Sequence, residues 1–275
     1  MHLLFRLLVS LAALNVYANE PVKPGPNFDR ERLVAWCIVP FDARKRGPEA
    51  RTKMLVALGL KRCAYDWRGE HVARFEEEIL QYRKHGVEYS AFWSSHERAF
   101  ALFEQHGIHP DIWQTAPSPK EGRDEDKVRA AVKILLPLAE RVKAQGLRLG
   151  LYNHGGWGGE PANLVAVCKA LHAQGTTRVG IVYNFHHGHG HVEDFKQVFP
   201  LMQPYLLCLN LNGMGERKIM PIGSGEHEAA MIRVVIQSGY TGPIGVLGHR
   251  ADEDVKRTLE KNLKGLEALL QGLAE

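Results

Sequence analysis

The chain is poor in cysteine and has almost no surplus of charge. Four cysteines in 275 residues, none of them in a Cys-x-x-Cys pair, exclude zinc-finger spacing and argue against a disulfide-built scaffold. Cys37, Cys63 and Cys208 sit in apolar, strand-like segments and Cys168 in a helical one, the pattern of buried free thiols. Cys37 and Cys63 fall on neighbouring strands, which leaves a bridge between them open. With 35 Lys and Arg against 31 Asp and Glu, the formal net charge is only +4, so there is no basic stripe of the kind nucleic acid requires. Past the N-terminus no run is long and apolar enough for a membrane span. No unit recurs at a constant length, which argues against a solenoid.

What is there begins with a leader. Met1-His2-Leu3-Leu4-Phe5-Arg6 is a short basic start, and 7–16 is an apolar run of signal-peptide length. Val16-Tyr17-Ala18 fits the small-x-small cleavage rule, so cleavage is expected after Ala18, with export to the periplasm or the exterior. No membrane attachment is expected once the leader is removed. Residues 19–30 are polar and proline-rich and read as an extended arm. Residues 31–275 then read as one domain.

A strand-then-helix rhythm follows. Strands are expected at 33–39, 62–65, 88–92, 111–114, 147–151, 178–183, 205–211 and 244–247. Helices are expected at 49–58, from His71 to Lys84, and at 96–105, 124–144, 163–173, 192–199, 228–237 and 252–271. Gly86, Gly107, Gly146, Gly175 and Gly239 punctuate helix ends. Alternating strands and helices imply a parallel sheet, and eight units imply closure into a (β/α)8 TIM barrel.

In such a barrel ligands bind at the carboxyl ends of the strands. The stretch Gly-Leu-Tyr-Asn-His-Gly-Gly-Trp at 150–157 is the clearest of these ends, because it turns from apolar alternation into Tyr152, Asn153 and His154. Other strand ends contribute Asp66, Arg68, Trp93, Trp113, Gln114, Asn184, His186, His187, Asn210, Asn212 and His249. Amides offer paired donors and acceptors to hydroxyl-rich ligands. Indoles offer flat apolar plates to the C–H face of a sugar ring. The set therefore predicts a small-molecule carbohydrate pocket. His154 and His187, with Asp66, are the candidates for moving a proton. Asp66 and Arg68 also read as an ion pair at the rim. His189 and His191, in His-Gly-His-Gly-His, read as members of a polar, flexible loop.

The order of elements, Pro-Ile-Gly-Ser-Gly-Glu at 221–226 and Gly-Tyr-Thr-Gly-Pro-Ile at 239–244 together resemble the xylose isomerase-like barrels. That superfamily contains sugar isomerases and epimerases and also endonuclease IV. The resemblance implies one divalent metal held by Glu, Asp, His and Glu at four strand ends. Tyr152, Asn184, Asn210 and Leu247 stand at those positions here, while His187 matches a pocket His that follows the family Asp. The usual Mn or Mg site is therefore expected to be absent. A His-bound metal such as zinc stays open. The resemblance implies an enzyme that isomerises or epimerises a sugar or keto-sugar by proton transfer beside a carbonyl, and the leader adds the expectation that it is exported. The alternatives are a carbohydrate-binding barrel without catalysis and, more remotely, an endonuclease IV-like nuclease. The oligomeric state is not legible.

Overall fold

The computed structural model describes residues 21–216 and 219–275. The leader and its cleavage site lie outside the described residues. Eight parallel strands close on themselves in sequence order. They are β1 Val34–Trp36, β2 Arg62–Tyr65, β3 Glu88–Trp93, β4 Asp111–Thr115, β5 Leu149–Tyr152, β6 Val179–Asn184, β7 Leu206–Leu211 and β8 Ile244–Leu247. The helices between and after them are α1 Pro48–Ala57, α2 Phe75–His85, α3 Glu97–His106, α4 Asp124–Ala144, α5 Pro161–Ala173, α6 Phe195–Met202, α7 Glu228–Gln237 and α8 Val255–Ala274. The fold is a (β/α)8 TIM barrel.

Several elements lie where the residue pattern places them, and the departures have local causes. β1 stops at Trp36 because Cys37 takes φ 54°, in the left-handed region that ends an extended strand. α5 starts at Pro161, whose missing N–H would be unpaired in a first turn anyway. α6 runs on through Pro200 to Met202, since a proline that late in a short helix removes only one internal bond. The start of α8 is set by Asp254, whose side chain accepts from Lys256 N at 3.0 Å. The proline-rich lead-in is more structured than an extended arm. It forms 3-10 turns at Pro26–Phe28 and Arg30–Arg32. Asn27 ties it to the barrel by donating to the carbonyls of Tyr240 and Gly242, at 3.1 and 3.0 Å.

Two cores hold the barrel together. The larger lies between strands and helices, and the smaller fills the interior with Val34, Trp36, Ala64, Ala91, Trp113, Tyr152, Val182 and Cys208. Trp36 and Trp113 meet edge to face at 4.8 Å, and Trp36 and Tyr152 at 5.2 Å. Such large plugs need small neighbours, and Gly150 is one. A Cβ there would lie 2.5 Å from Val182 Cγ2 and 2.8 Å from Trp113 Cδ1. Gly150→Ala should therefore cost about 1–3 kcal/mol of overpacking, read as a lower urea midpoint with unchanged slope. All four cysteines are free, Cys37 and Cys63 included.

Candidate functional site

A cavity of about 260 Å³ opens where the strands end. Asp66, Arg68, Trp93, Tyr152, His154, Asn184, His186, His187 and His249 line it, as their positions at strand ends imply. Trp36, Cys37, Phe41, Ile219 and Leu247 line it as well. Trp36 and Leu247 are paired neighbours on β1 and β8, so the same register delivers both. Trp36 is legible in hindsight as an aromatic near the end of the first strand. Phe41 and Ile219 lie in loops and carry no comparable signal.

Five expected residues do not reach the cavity. Trp113 is part of the interior plug below it. Gln114, the next residue on β4, turns to the opposite face because side chains alternate along a strand. Asn153 is fully buried and acts as an extra rung between β5 and β6: its Nδ2 donates to Asn184 O at 3.1 Å and its Oδ1 accepts from Asn184 N at 2.8 Å. Asn210 stands behind Asn184 and donates to its Oδ1 at 3.0 Å. Asn212 donates to Gly213 O at 2.8 Å and lies against the Met214 sulfur.

Asn184 is the junction of a polar chain. Its Nδ2 donates to the Tyr152 hydroxyl at 2.9 Å, and its Oδ1 accepts from Asn210 and from His186 N. Both ends of the amide are therefore occupied by protein partners. Leu247 offers no donor atom. A hard divalent cation takes several oxygen ligands, preferably carboxylates. A phenol, an amide that already accepts two hydrogen bonds, an amide turned to donate and a leucine do not supply them. Among the described residues no three His, Cys, Asp or Glu groups are placed to share one ion. The side chains at these four strand ends do not fit the metal that the resemblance implies.

The titratable groups face each other across the barrel. Asp66 leaves β2, and His154, His186 and His187 leave β5 and β6 on the far wall. Asp66 is 3 % exposed. Its Oδ1 accepts from Val39 N at 3.3 Å, and its Oδ2 has no partner among the described residues. Burial raises its pKa to about 6, against the opposing pull of the Val39 N–H and the Arg68 charge. The His154 and His187 rings lie 4.6 Å apart, and those of His186 and His187 4.7 Å. Burial, reinforced by the neighbouring imidazoles, lowers His187 to about 3 and His186 to about 4. Burial and then Arg68 lower His249 as well.

The expected Asp66–Arg68 ion pair does not form among the described residues. Arg68 is exposed at the mouth, donates to the neighbouring Trp67 carbonyl at 2.7 Å and lies over the Phe41 ring at 5.6 Å. The His-rich segment also differs from a flexible loop. It forms 3-10 turns at Phe185–His187 and His189–His191. His189 Nδ1 meets His186 O at 2.7 Å, and His191 bridges Glu160 and Asp194 at 2.9 and 3.0 Å. These two imidazoles are ties that hold His186 and His187 in place. The glycine-rich loop at 221–226 is pinned in a comparable way, since Glu228 accepts from the backbone N–H of Met214, Gly223 and Gly225.

No protein-family model matches the sequence. None of the curated proteins matches it. Solved structures do match its fold. D-psicose 3-epimerase, solved in the presence of D-fructose, superposes with a TM-score of 0.64 at 14% identity, covering 88% of this chain and 99% of its own. The IOLI protein with a bound zinc atom gives 0.66 at 10% identity, with 87% and 98% covered. A xylose isomerase-like TIM barrel protein from Mycobacterium smegmatis, in complex with magnesium, gives 0.58 at 14% identity, with 88% and 96% covered. These likenesses concern the fold, an eight-stranded parallel barrel ringed by helices.

Proposed function

We propose that the strand-end cavity is the active site of an exported isomerase or epimerase that acts on a monosaccharide or keto-sugar by moving a proton on the carbon beside a carbonyl. The observation that carries this reading is Asp66, a buried carboxyl with a free Oδ2 and a pKa near neutrality, facing imidazoles across one small cavity. A carbon acid needs a base that is deprotonated at working pH yet strong enough to accept a proton, and a carboxyl lifted to about 6 meets both needs. The cavity volume suits a single sugar ring or open-chain sugar, and Trp36 and Trp93 offer apolar faces to its C–H groups.

The roles divide by protonation state. Asp66 takes the proton from the carbon, and the electron pair moves onto the carbonyl oxygen to give an enediolate. His187 holds that oxygen. An imidazole that stays neutral down to about pH 3 donates an N–H bond rather than a full proton, which is what a developing oxyanion requires. His154, beside it, completes the polar wall. Asp66 returns the proton to the former carbonyl carbon, while the hydroxyl proton passes to the oxygen that carried the charge, and this gives the isomer. The epimer needs a proton delivered to the opposite face of the same carbon, the part we give to a protonated His154, with Asp66 then releasing to solvent the proton it took. No step passes through a metal.

The resemblance of fold to a sugar epimerase supports this reading, as does the leader pattern for export. The test is a panel of neutral and oxidised monosaccharides, scored for both binding and conversion. Conversion by the native protein, lost in His154→Ala and His187→Ala, is expected. A sugar that binds and is never converted would identify a carbohydrate-binding barrel instead.

A further inference from the structure

Tyr152 ends β5 and lines the cavity together with His187, the two rings meeting edge to face at 5.3 Å. We propose that its hydroxyl is a catalytic group, a second hydrogen-bond donor to the substrate's carbonyl oxygen beside His187, with its proton held toward the substrate by Asn184 and Asn210. This role presupposes the carbon-acid reaction proposed for the cavity.

The direction of that proton follows from one backbone amide. His186 N can only donate, and it donates to Asn184 Oδ1 at 3.1 Å. That settles which end of the Asn184 carboxamide is oxygen, and Asn210 Nδ2 donates to the same atom at 3.0 Å. The other end is an NH2 group, which can only donate, and its partner at 2.9 Å is the Tyr152 oxygen. Tyr152 is the acceptor in that bond, so its own O–H proton points elsewhere. Among the described residues the hydroxyl has no second partner. The open side of Tyr152 is the cavity it lines, and an oxygen of a bound substrate is what that proton would meet.

The groups behind the hydroxyl hold it in place. Asn184 and Asn210 are both buried, so neither amide trades its partners with water. Gly245 makes room for Asn210, since a Cβ there would lie 2.6 Å from Asn210 Oδ1. Trp36 at 5.2 Å and Trp93 at 4.7 Å clamp the phenol ring edge to face. Along such a chain each bond strengthens the next, because a carbonyl that accepts makes its NH2 a better donor, and a hydroxyl that accepts makes its O–H a better one. Burial, followed by Cys37 and then Asp66, raises the Tyr152 pKa against the lowering pull of Asn184. The phenol therefore keeps its proton and gives a hydrogen bond only. Preorganised donors aimed at the oxygen where charge develops stabilise it without reorganising.

Reversing the Asn184–Tyr152 bond should then do as much damage as removing the hydroxyl. In Asn184→Asp the new carboxylate still accepts from His186 N and from Asn210, but it has no proton to give. Tyr152 would turn its O–H onto that carboxylate and withdraw it from the substrate, although the phenol itself is intact.

Two readouts on the full chain, treated with chelator, test this. One is exchange of the hydrogen beside the carbonyl of ketoses and oxidised sugars. The other is calorimetric binding of threonohydroxamate, a planar mimic of a sugar enediolate. Tyr152→Phe and Asn184→Asp should each weaken hydroxamate binding roughly tenfold, the loss of one hydrogen bond to an oxygen that carries negative charge. Each should also lower kcat for exchange while KM stays within about threefold. The double variant Tyr152→Phe/Asn184→Asp should be no worse than Tyr152→Phe alone, because both changes remove the same donated proton. Repulsion by the new carboxylate would add to the loss instead. Asn184→Asp keeps the phenol and the side-chain volume, so it decides the question even if Tyr152→Phe folds poorly. Unchanged binding in either single variant, additive losses in the double variant, or no binding by native protein would each overturn the role given to Tyr152. The expected hydroxamate pattern with no exchange of any sugar would uphold Tyr152 as the donor and overturn the reaction.

Discussion

Asp66→Asn is expected to lower turnover by about 10²–10⁴-fold while making the protein more stable. The two effects share one cause. Asp66 is buried with no ion-pair partner among the described residues, and burial outweighs the Arg68 charge, so its pKa rises from 3.8 to about 6. Below about pH 4 the group is protonated whether the chain is folded or not, and it costs nothing. As pH climbs from 4 to 6 the unfolded chain loses its proton while the folded one keeps it, so stability falls. Above 6 the penalty is complete, at about 3 kcal/mol. Asparagine keeps the acceptor for Val39 N–H and removes the charge. Its thermal midpoint should therefore exceed that of the native protein at pH 7.5, and the gain should vanish near pH 4. A purely structural Asp66 would give the opposite sign, with lower stability and activity lost only in proportion to unfolding. In native enzyme the same titration should place the acid limb of kcat/KM near pH 6.

His187→Ala is expected to cost about 10²–10³-fold in kcat with little change in that acid limb. The imidazole is neutral across the working range, since burial and its neighbours hold it at about 3. In the proposed mechanism it would supply a fixed N–H to the carbonyl oxygen and no titration of its own. The loss should appear in kcat more than in KM, because the hydrogen bond strengthens as the oxygen gains charge. His187→Gln, which keeps a donor, should recover part of the rate. If His187→Ala instead removes the pH-6 limb, the imidazole is the titrating base and Asp66 is not.

These expectations rest on features of unequal legibility. The barrel was readable because each of its units announces itself locally: apolar strands such as 244–247, the acidic start of α4, glycines past helix ends. Placement at strand ends was readable for His154, His187 and Asp66 for the same reason. Depth within the barrel and side-chain parity were not. Trp93 and Trp113 are register partners on β3 and β4 and both turn into the barrel, yet one reaches the cavity and the other lies in the plug beneath it, while Gln114, one residue further on, faces the other way. Asn153 and Asn210 read as ligand contacts because an amide suits a sugar as well as it suits a backbone; only the three-dimensional neighbours show that both serve Asn184. The burial of Asp66 depends on the loop after β1 folding over it, a contact 27 residues away in the chain.

The central claim is that this barrel moves a carbon-bound proton with a buried carboxyl and neutral imidazoles, without a divalent cation. Proton NMR in D2O tests it most directly. Candidate ketoses and oxidised sugars are incubated with chelator-treated protein, and the signal of the hydrogen beside the carbonyl is followed. The account predicts that one of these substrates exchanges that hydrogen for deuterium, that added Mg²⁺, Mn²⁺ or Zn²⁺ leaves the rate unchanged, and that Asp66→Asn abolishes the exchange. Exchange that appears only when a divalent cation is restored, or that persists at full rate in Asp66→Asn, would contradict it.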